Sequence, residues 1–182
     1  MIEVNADKKL WDDFRKGESY ALSHIYYQYV QQLFRYGKKF SNDDELIKDS
    51  IQELFYDLVN SREKLGSTDN IGFYLIASLR RRLAKSAKKD KLFISSEDTK
   101  TIEAEISYSA EQELIAKEEL SEQERQLQEG LEKLSPKQRE ILYYKYTCDF
   151  SYEQICELMS LKYDSARKLM TRAISALRNV FK

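Results

Sequence analysis

Residues 151–178 read SYEQICELMSLKYDSARKLMTRAISALR, and this stretch decides the fold of the C-terminal part of the chain. Ser151 and Gln154 have the spacing of a capping box, so a short helix is predicted to begin there. A turn of about four residues follows, over 160–163. A longer helix then carries Ala166, Met170 and Ala173 at helical spacing. A short helix, a tight turn and a longer helix together predict a helix-turn-helix.

The longer helix is strongly basic on the side away from its apolar residues. From residue 162 to the end there are six basic residues against one acid, Asp164. Arg167, Lys168 and Arg172 lie on or near the outer face. Such cations suit the major groove of DNA, where they meet phosphates and guanine edges. The pattern favours DNA binding, and a basic solvated helix in an all-α bundle is the alternative.

Another helix start precedes this motif. Ser135 as N-cap, Pro136 at the first helical position and Gln138 at the third predict a helix with Ile141, Leu142 and Tyr146 on its apolar face. Residues 110–134 are interpreted as a helix that leads into this block.

The N-terminal block, from about residue 7 to residue 91, is predicted to be helical throughout. A short apolar stripe that includes Trp11 ends at Gly17, and three longer helices follow. Their predicted apolar positions are Leu22, Ile25, Tyr29, Leu33, Tyr36 and Phe40 in the second helix, Ile47, Ile51, Leu54, Phe55 and Leu58 in the third, and Ile71, Leu75, Leu79 and Leu83 in the fourth.

Two helix starts in this block are predicted from capping patterns. Asn42, with Glu45 three residues later, resembles a capping box for the third helix. Thr68 or Asp69 is the expected N-cap of the fourth helix.

Between the two blocks, residues 90–109 have weak periodicity and many Ser, Thr, Glu and Lys, which indicates a linker. Residues 97–132 contain 12 acidic and three basic side chains. Such a stretch repels the phosphates of DNA.

The composition limits the class of protein. The 182 residues include only one Pro and five Gly, which favours long helices and an all-α fold over turn-rich sandwiches or barrels. The formal net charge of −1 does not decide whether the partner is nucleic acid. No apolar run approaches 18 residues and no signal-peptide core begins the chain, so neither membrane insertion nor export is expected. The two cysteines are typical of a reducing cytoplasm.

An enzyme is the least expected class, and neither a cofactor nor a metal is predicted. His24 is the one histidine, which excludes His-based triads, and no phosphate-binding glycine loop is present. Cys148 and Cys156 lack further ligands nearby, so both are interpreted as buried structural thiols.

Two more charged surfaces are candidates for binding. Seven of the twelve residues from 80 to 91 are basic. One helical stripe contains Arg81, Lys85, Lys88 and Lys89. Binding of this stripe to DNA phosphates would be favoured by the release of counterions. Phe73 and Tyr74, about a turn or two earlier, are candidates for stacking on unpaired bases. The alternative is a solvated run at a helix C-terminus, where the helix dipole favours cations.

The second surface is a polar, mostly acidic face on the third helix, formed by Asp49, Gln52, Glu53 and Asp57. It could dock a basic partner. An ordinary solvated face is the alternative.

The order of these signals resembles the extracytoplasmic-function (ECF, group IV) sigma factors of bacterial RNA polymerase. Residues 10–29 are similar to the family's opening, and Asp49, Gln52 and Phe55 fit its Asp-x-x-Gln-x-x-Phe pattern. Residues 70–89 resemble the helix that melts and reads the −10 element. Residues 134–141 and 151–177 resemble the C-terminal domain with its helix-turn-helix.

The sequence departs from the family at a few positions. Arg81 and Lys85 stand where the family usually has Asn and often Asp, so the −10 region is more basic than usual. Ser160 and Lys162 replace a Gly and a capping residue at the turn. Asp164 is therefore the expected cap of the last helix.

The resemblance implies an all-α fold of two small helical domains: sigma region 2 over residues 1–91, a flexible linker over 92–110, and sigma region 4 over 111–182. It also implies three sets of contacts. Core polymerase would bind Asp49, Gln52, Glu53 and Phe55, with Phe55 acting partly from inside. The −10 region would contact Asn70, Arg80, Arg81, Lys85, Lys88 and Lys89. The −35 region would contact Ser165, Arg167, Lys168, Thr171 and Arg172.

The predicted function is a sigma factor that binds core RNA polymerase and directs promoter-specific transcription initiation in the cytoplasm. The implied partners are bacterial core RNA polymerase and promoter DNA, and the resemblance leaves room for an anti-sigma factor. The first alternative is a stand-alone helix-turn-helix regulator, which would bind its site without polymerase. The second is a helical scaffold with no nucleic-acid role, which would show no salt-sensitive retention on DNA.

Overall fold

The computed structural model describes residues 2–92 and 122–178, with side chains over 6–86 and 125–178. The described residues form two compact units, one on each side of the segment 93–121. From residue 93 onward, the predicted linker lies outside the described residues. The predicted domain boundaries therefore stay predictions.

The first unit contains four α-helices, with a 3₁₀ turn at Arg62–Lys64 after the third. The helices are α1 (Ile2–Lys16), α2 (Ser19–Gly37), α3 (Asp44–Ser61) and α4 (Ile71–Leu92). Helix α1 stops because Gly17 takes a φ of +91°, which glycine adopts without steric cost.

The core of this unit follows the predicted apolar stripes. Every predicted core position of α3 and α4 is buried, and Trp11 on α1 is fully buried. The indole Nε1 of Trp11 donates to the backbone oxygen of Gly66 at 2.8 Å, which fastens the loop before α4 to α1. On α2, Ile25, Leu33 and Tyr36 are buried, while Leu22 and Tyr29 are half-buried. Phe40 lies three residues beyond the end of this helix.

Both predicted N-caps of this unit are wrong by one or two residues. Asp43, not Asn42, caps α3, and its carboxylate accepts from the backbone N–H groups of Glu45 and Leu46. Asn70, not Thr68 or Asp69, caps α4, since its Oδ1 accepts from Phe73 N at 2.8 Å. In both cases the residue immediately before the helix is the cap, because only its side chain can reach the free N–H groups of the first turn.

The second unit contains α5 (Glu122–Glu132), α6 (Pro136–Leu142), a π-helical turn at Tyr143–Thr147, α7 (Tyr152–Met159) and α8 (Tyr163–Arg178). Both predicted capping boxes are confirmed: Ser135 with Gln138 opens α6, and Ser151 with Gln154 opens α7. Helices α6, α7 and α8 share a core that contains Ile141, Ile155 and Met170.

The π-helical turn corrects one predicted core residue. Tyr146 is 69% exposed, whereas Tyr143 and Tyr144 are buried. A π-helical turn is wider than an α-helical turn, so it rotates later side chains away from the face that an α-helical period predicts. The Tyr144 hydroxyl donates to the buried Glu140 carboxylate at 2.9 Å, which satisfies both polar groups inside the core.

In the part of the chain that the structure describes, none of the helices combines the length and apolar character needed to cross a membrane.

Candidate nucleic-acid and partner-binding surfaces

Helices α7 and α8 form a helix-turn-helix. The Ser151 hydroxyl accepts from Gln154 N at 3.2 Å, and the Gln154 side chain accepts from Ser151 N at 3.0 Å, so the start of α7 is fixed from both sides. Ser160 ends α7 in the left-handed conformation, with a φ of 53°. Helix α8 begins at Tyr163, so Asp164 lies inside the first turn and the expected cap at Asp164 is wrong.

The two sides of α8 differ as predicted. Ala166, Met170 and Ala173 are buried against the unit. All five predicted −35 contacts are exposed: Ser165, Arg167, Lys168, Thr171 and Arg172. The Thr171 hydroxyl donates to Arg167 O at 3.0 Å, which leaves its oxygen free to accept. The structure thus brings these side chains together on one open helix surface.

An aromatic pair that the sequence analysis did not single out joins the two helices. The rings of Tyr152 on α7 and Tyr163 on α8 lie 5.6 Å apart. Tyr163, at the first position of α8, is still 48% exposed. The sequence could have predicted this pair, because a tyrosine stands at the start of each of the two helices.

The basic side chains of α4 point in two directions, toward solvent and toward α3. Arg81 and Lys85 are exposed, and Arg81 Nη2 donates to Ser78 Oγ at 3.1 Å. Arg82 turns instead toward α3, where its guanidinium pairs with Glu53 at 3.3 Å and with Asp57. The side chains of Lys88 and Lys89 lie outside the described residues. Arg80 is half-buried.

Two predicted nucleic-acid contacts at the start of α4, Asn70 and Tyr74, also interact with other residues of the protein. The Asn70 side chain caps the helix, as described above. The Tyr74 ring lies 4.9 Å from the Trp11 ring, so this tyrosine packs on the core while half-exposed. Base stacking by Phe73 and Tyr74 stays a prediction.

The acidic face of α3 is present, and Phe55 lies beneath it. Asp49, Gln52 and Glu53 are exposed together. Phe55 is 8% exposed, and its ring packs edge-on against Tyr26 at 5.1 Å. Phe55 therefore supports this face from inside.

The remaining candidate residues, His24, Cys148 and Cys156, do not form a common site in the described part of the chain. His24 is exposed, and the described residues contain no group of three or more His, Cys, Asp or Glu side chains that could hold a metal ion. Cys148 and Cys156 are half-buried, not buried as expected. Burial, assisted by the charge of Glu153, raises the pKa of the Cys156 thiol.

Comparisons with known proteins agree with this geometry. A family model described as sigma-70, region 4, matches residues 124–177, which include all five predicted −35 contacts. No curated protein matches the chain.

Two solved structures share the fold. The first is the sigma factor RpoE of Bartonella quintana in complex with the anti-sigma factor NepR; it is 17% identical, has a TM-score of 0.58, and the match covers 87% of this chain and 95% of that one. The second is CnrH in complex with the cytosolic domain of CnrY; it is 13% identical, has a TM-score of 0.59, and the match covers 97% of each chain.

The chain shares the all-helical, two-domain fold of these two solved structures. Within that fold, residues 124–177 of the C-terminal unit match the family model described as sigma-70, region 4. The resemblance predicted from the sequence is confirmed, and it supports a sigma-factor function in transcription initiation. Sigma factors are non-enzymatic as a class.

Proposed function

We propose that this protein binds bacterial core RNA polymerase and directs it to a small set of promoters. The observation that carries the proposal is the exposed cationic face of α8, which lies inside the segment that matches sigma-70 region 4.

Helix α8 would read the −35 region. In a helix-turn-helix, the second helix enters the major groove and its N-terminal residues approach the base edges. Arg167, Lys168 and Arg172 supply the charge for phosphates and guanine edges. Ser165 and Thr171 supply hydroxyl groups between them.

Helix α4 would contact the −10 region. Arg81 and Lys85, one turn apart and exposed, line one side of the helix. Lys88 and Lys89 continue the basic stripe in the sequence, and Arg80 and Asn70 complete the predicted set. A row of cations on a helix neutralises successive phosphates, which makes the binding depend on salt concentration.

The α3 face would bind core polymerase through Asp49, Gln52 and Glu53, with Phe55 supporting it from the core. A sigma factor does not have to bind DNA tightly alone, because polymerase contributes much of the affinity. The net charge of −1 is compatible with weak DNA binding by the protein alone.

An anti-sigma factor is a further partner in this proposal. The sigma factor RpoE is held by the anti-sigma factor NepR in a structure of the same fold. By analogy, this chain would be held in the cytoplasm by such a protein until a signal releases it. It would act there by binding alone and catalyse no reaction.

The test is transcription in vitro. Purified core polymerase and this protein would be incubated with a pool of bacterial promoter fragments, and transcripts would be sequenced. We expect defined start sites that depend on both proteins. If the protein instead retains specific DNA fragments without polymerase and starts no transcripts, it is a stand-alone helix-turn-helix regulator.

A further inference from the structure

An exposed tyrosine lies in the middle of the acidic face of α3. Tyr56 follows Asp49, Gln52 and Glu53 by seven, four and three residues, and this spacing aligns side chains on one side of a helix. Tyr56 is 68% exposed, and the other three side chains are exposed as well. The four residues form a continuous stripe, which we call the Tyr56 stripe.

The neighbouring aromatic residue cannot make the outer contact. Phe55 is 8% exposed, and its ring is covered by Tyr26. An aromatic contact between α3 and a partner must therefore come from Tyr56.

Arg82 pairs with two of the acids of this face, although both stay exposed. Its guanidinium on α4 pairs with Glu53 and Asp57, so these two carboxylates are drawn toward α4. Asp49 has no ion pair to another described residue. The exposed stripe therefore combines two carboxylates, of which Glu53 is already paired with Arg82, with the Gln52 amide and a phenol ring.

We propose that Tyr56 anchors the docking of core polymerase, and that the polymerase segment which lies on it presents an arginine or lysine. The cation would lie over the Tyr56 ring and pair with Asp49, since a cation is attracted to the face of an aromatic ring. Tyrosine is enriched among residues that dominate binding energy, and such residues lie at the centre of an interface inside a polar rim. This inference rests on the proposed function.

The test measures the affinity of the full chain for purified bacterial core RNA polymerase, without DNA. The variants are Tyr56→Ala, Tyr56→Phe and Tyr56→Leu. Tyr146→Ala is the matched control, because Tyr146 is 69% exposed and lies in the other unit. Circular dichroism would verify that each variant is folded, which the exposure of both tyrosines favours.

We expect Tyr56→Ala to lose affinity by about 30-fold, the size that marks an interface hot spot. Tyr56→Phe keeps the ring and should stay within about threefold of wild type, while Tyr56→Leu should resemble Tyr56→Ala. Tyr146→Ala should bind like wild type.

Three outcomes would overturn the inference. If wild type binds and Asp49→Ala weakens binding, but Tyr56→Ala equals Tyr146→Ala, only the role of Tyr56 fails. If Tyr56→Leu binds like wild type, the ring–cation contact is wrong. If the wild-type chain self-associates and Tyr56→Ala abolishes this, the stripe binds a second copy. Absence of any wild-type binding to polymerase would instead contradict the proposed function itself.

Discussion

The carboxylate of Asp7, on α1, accepts a hydrogen bond from the backbone N–H of Ile71, the first residue of α4, at 3.0 Å. Asp7 also accepts from the Tyr29 hydroxyl of α2 at 3.2 Å. One side chain thus joins three helices and places a negative charge at the N-terminus of α4, where the helix dipole favours it. The start of the helix proposed to contact the −10 region is therefore fixed from 64 residues away.

The first prediction follows from this contact. Asp7→Ala should lower the free energy of unfolding by about 1–2 kcal/mol, because it removes the acceptor that caps Ile71 N–H and breaks the hydrogen bond from the Tyr29 hydroxyl. Urea denaturation followed by circular dichroism measures the change. Asp12→Ala is the control: it removes only a partly exposed pair with Arg15 within α1, so a loss of about 0.5 kcal/mol or less is expected. Equal losses in the two variants would show that the Asp7 contact does not stabilise α4.

The second prediction separates two roles of Asn70. Asn70→Ala should lower stability by about 1 kcal/mol, because the cap on Phe73 N is lost. Asn70→Asp should keep the stability, since aspartate is an equally good N-cap. If Asn70 also approaches DNA, the added charge should weaken promoter binding by the polymerase complex, which a filter-binding titration measures. Unchanged DNA binding by Asn70→Asp would restrict Asn70 to capping.

The third prediction concerns the turn between α7 and α8. Ser160 adopts a φ of 53°, a left-handed conformation that costs a side chain energy but not glycine. Ser160→Gly should therefore raise the free energy of unfolding by about 0.5–1 kcal/mol. Ser175→Gly, at an exposed position inside α8, should lower it by a similar amount. Thermal unfolding of both variants measures whether each is stabilised or destabilised. A destabilised Ser160→Gly would show that the left-handed conformation of Ser160 is not strained.

The fourth prediction separates the two proposed binding functions. Arg172→Ala should weaken recognition of the −35 element by about 1–3 kcal/mol and leave polymerase affinity unchanged, because Arg172 lies on the exposed face of α8. Lys133→Ala, an exposed cation outside the helix-turn-helix, is the control. Electrophoretic mobility shifts of the polymerase complex on promoter DNA measure the difference. Equal loss of polymerase and DNA binding in Arg172→Ala would contradict this assignment.

The helices of both units could be predicted from the sequence because their apolar residues recur at the helical period. The positions of Ile51, Leu54, Leu79 and Met170 are examples, since their burial follows from spacing alone. The capping boxes at Ser135 and Ser151 were predictable for a similar reason: both partners lie within four residues of each other.

The errors arose where the structure depends on contacts or geometry beyond this local pattern. Asp43, not Asn42, caps α3, because a shift of one residue decides which side chain can reach the free N–H groups of the first turn. Tyr146 is exposed because a π-helical turn interrupts the α-helical period. The pairing of Arg82 with Glu53 joins residues 29 apart, and the pattern of α4 alone gave no reason to separate Arg82 from Arg81.

The central claim is that this protein binds core RNA polymerase through α3. The most direct test is its affinity for purified bacterial core polymerase in the absence of DNA, for the wild type and for a variant with both Asp49→Ala and Gln52→Ala. The account predicts tight binding by the wild type and a large loss in the folded double variant. No binding by the folded wild type, free of any inhibitor, would contradict it.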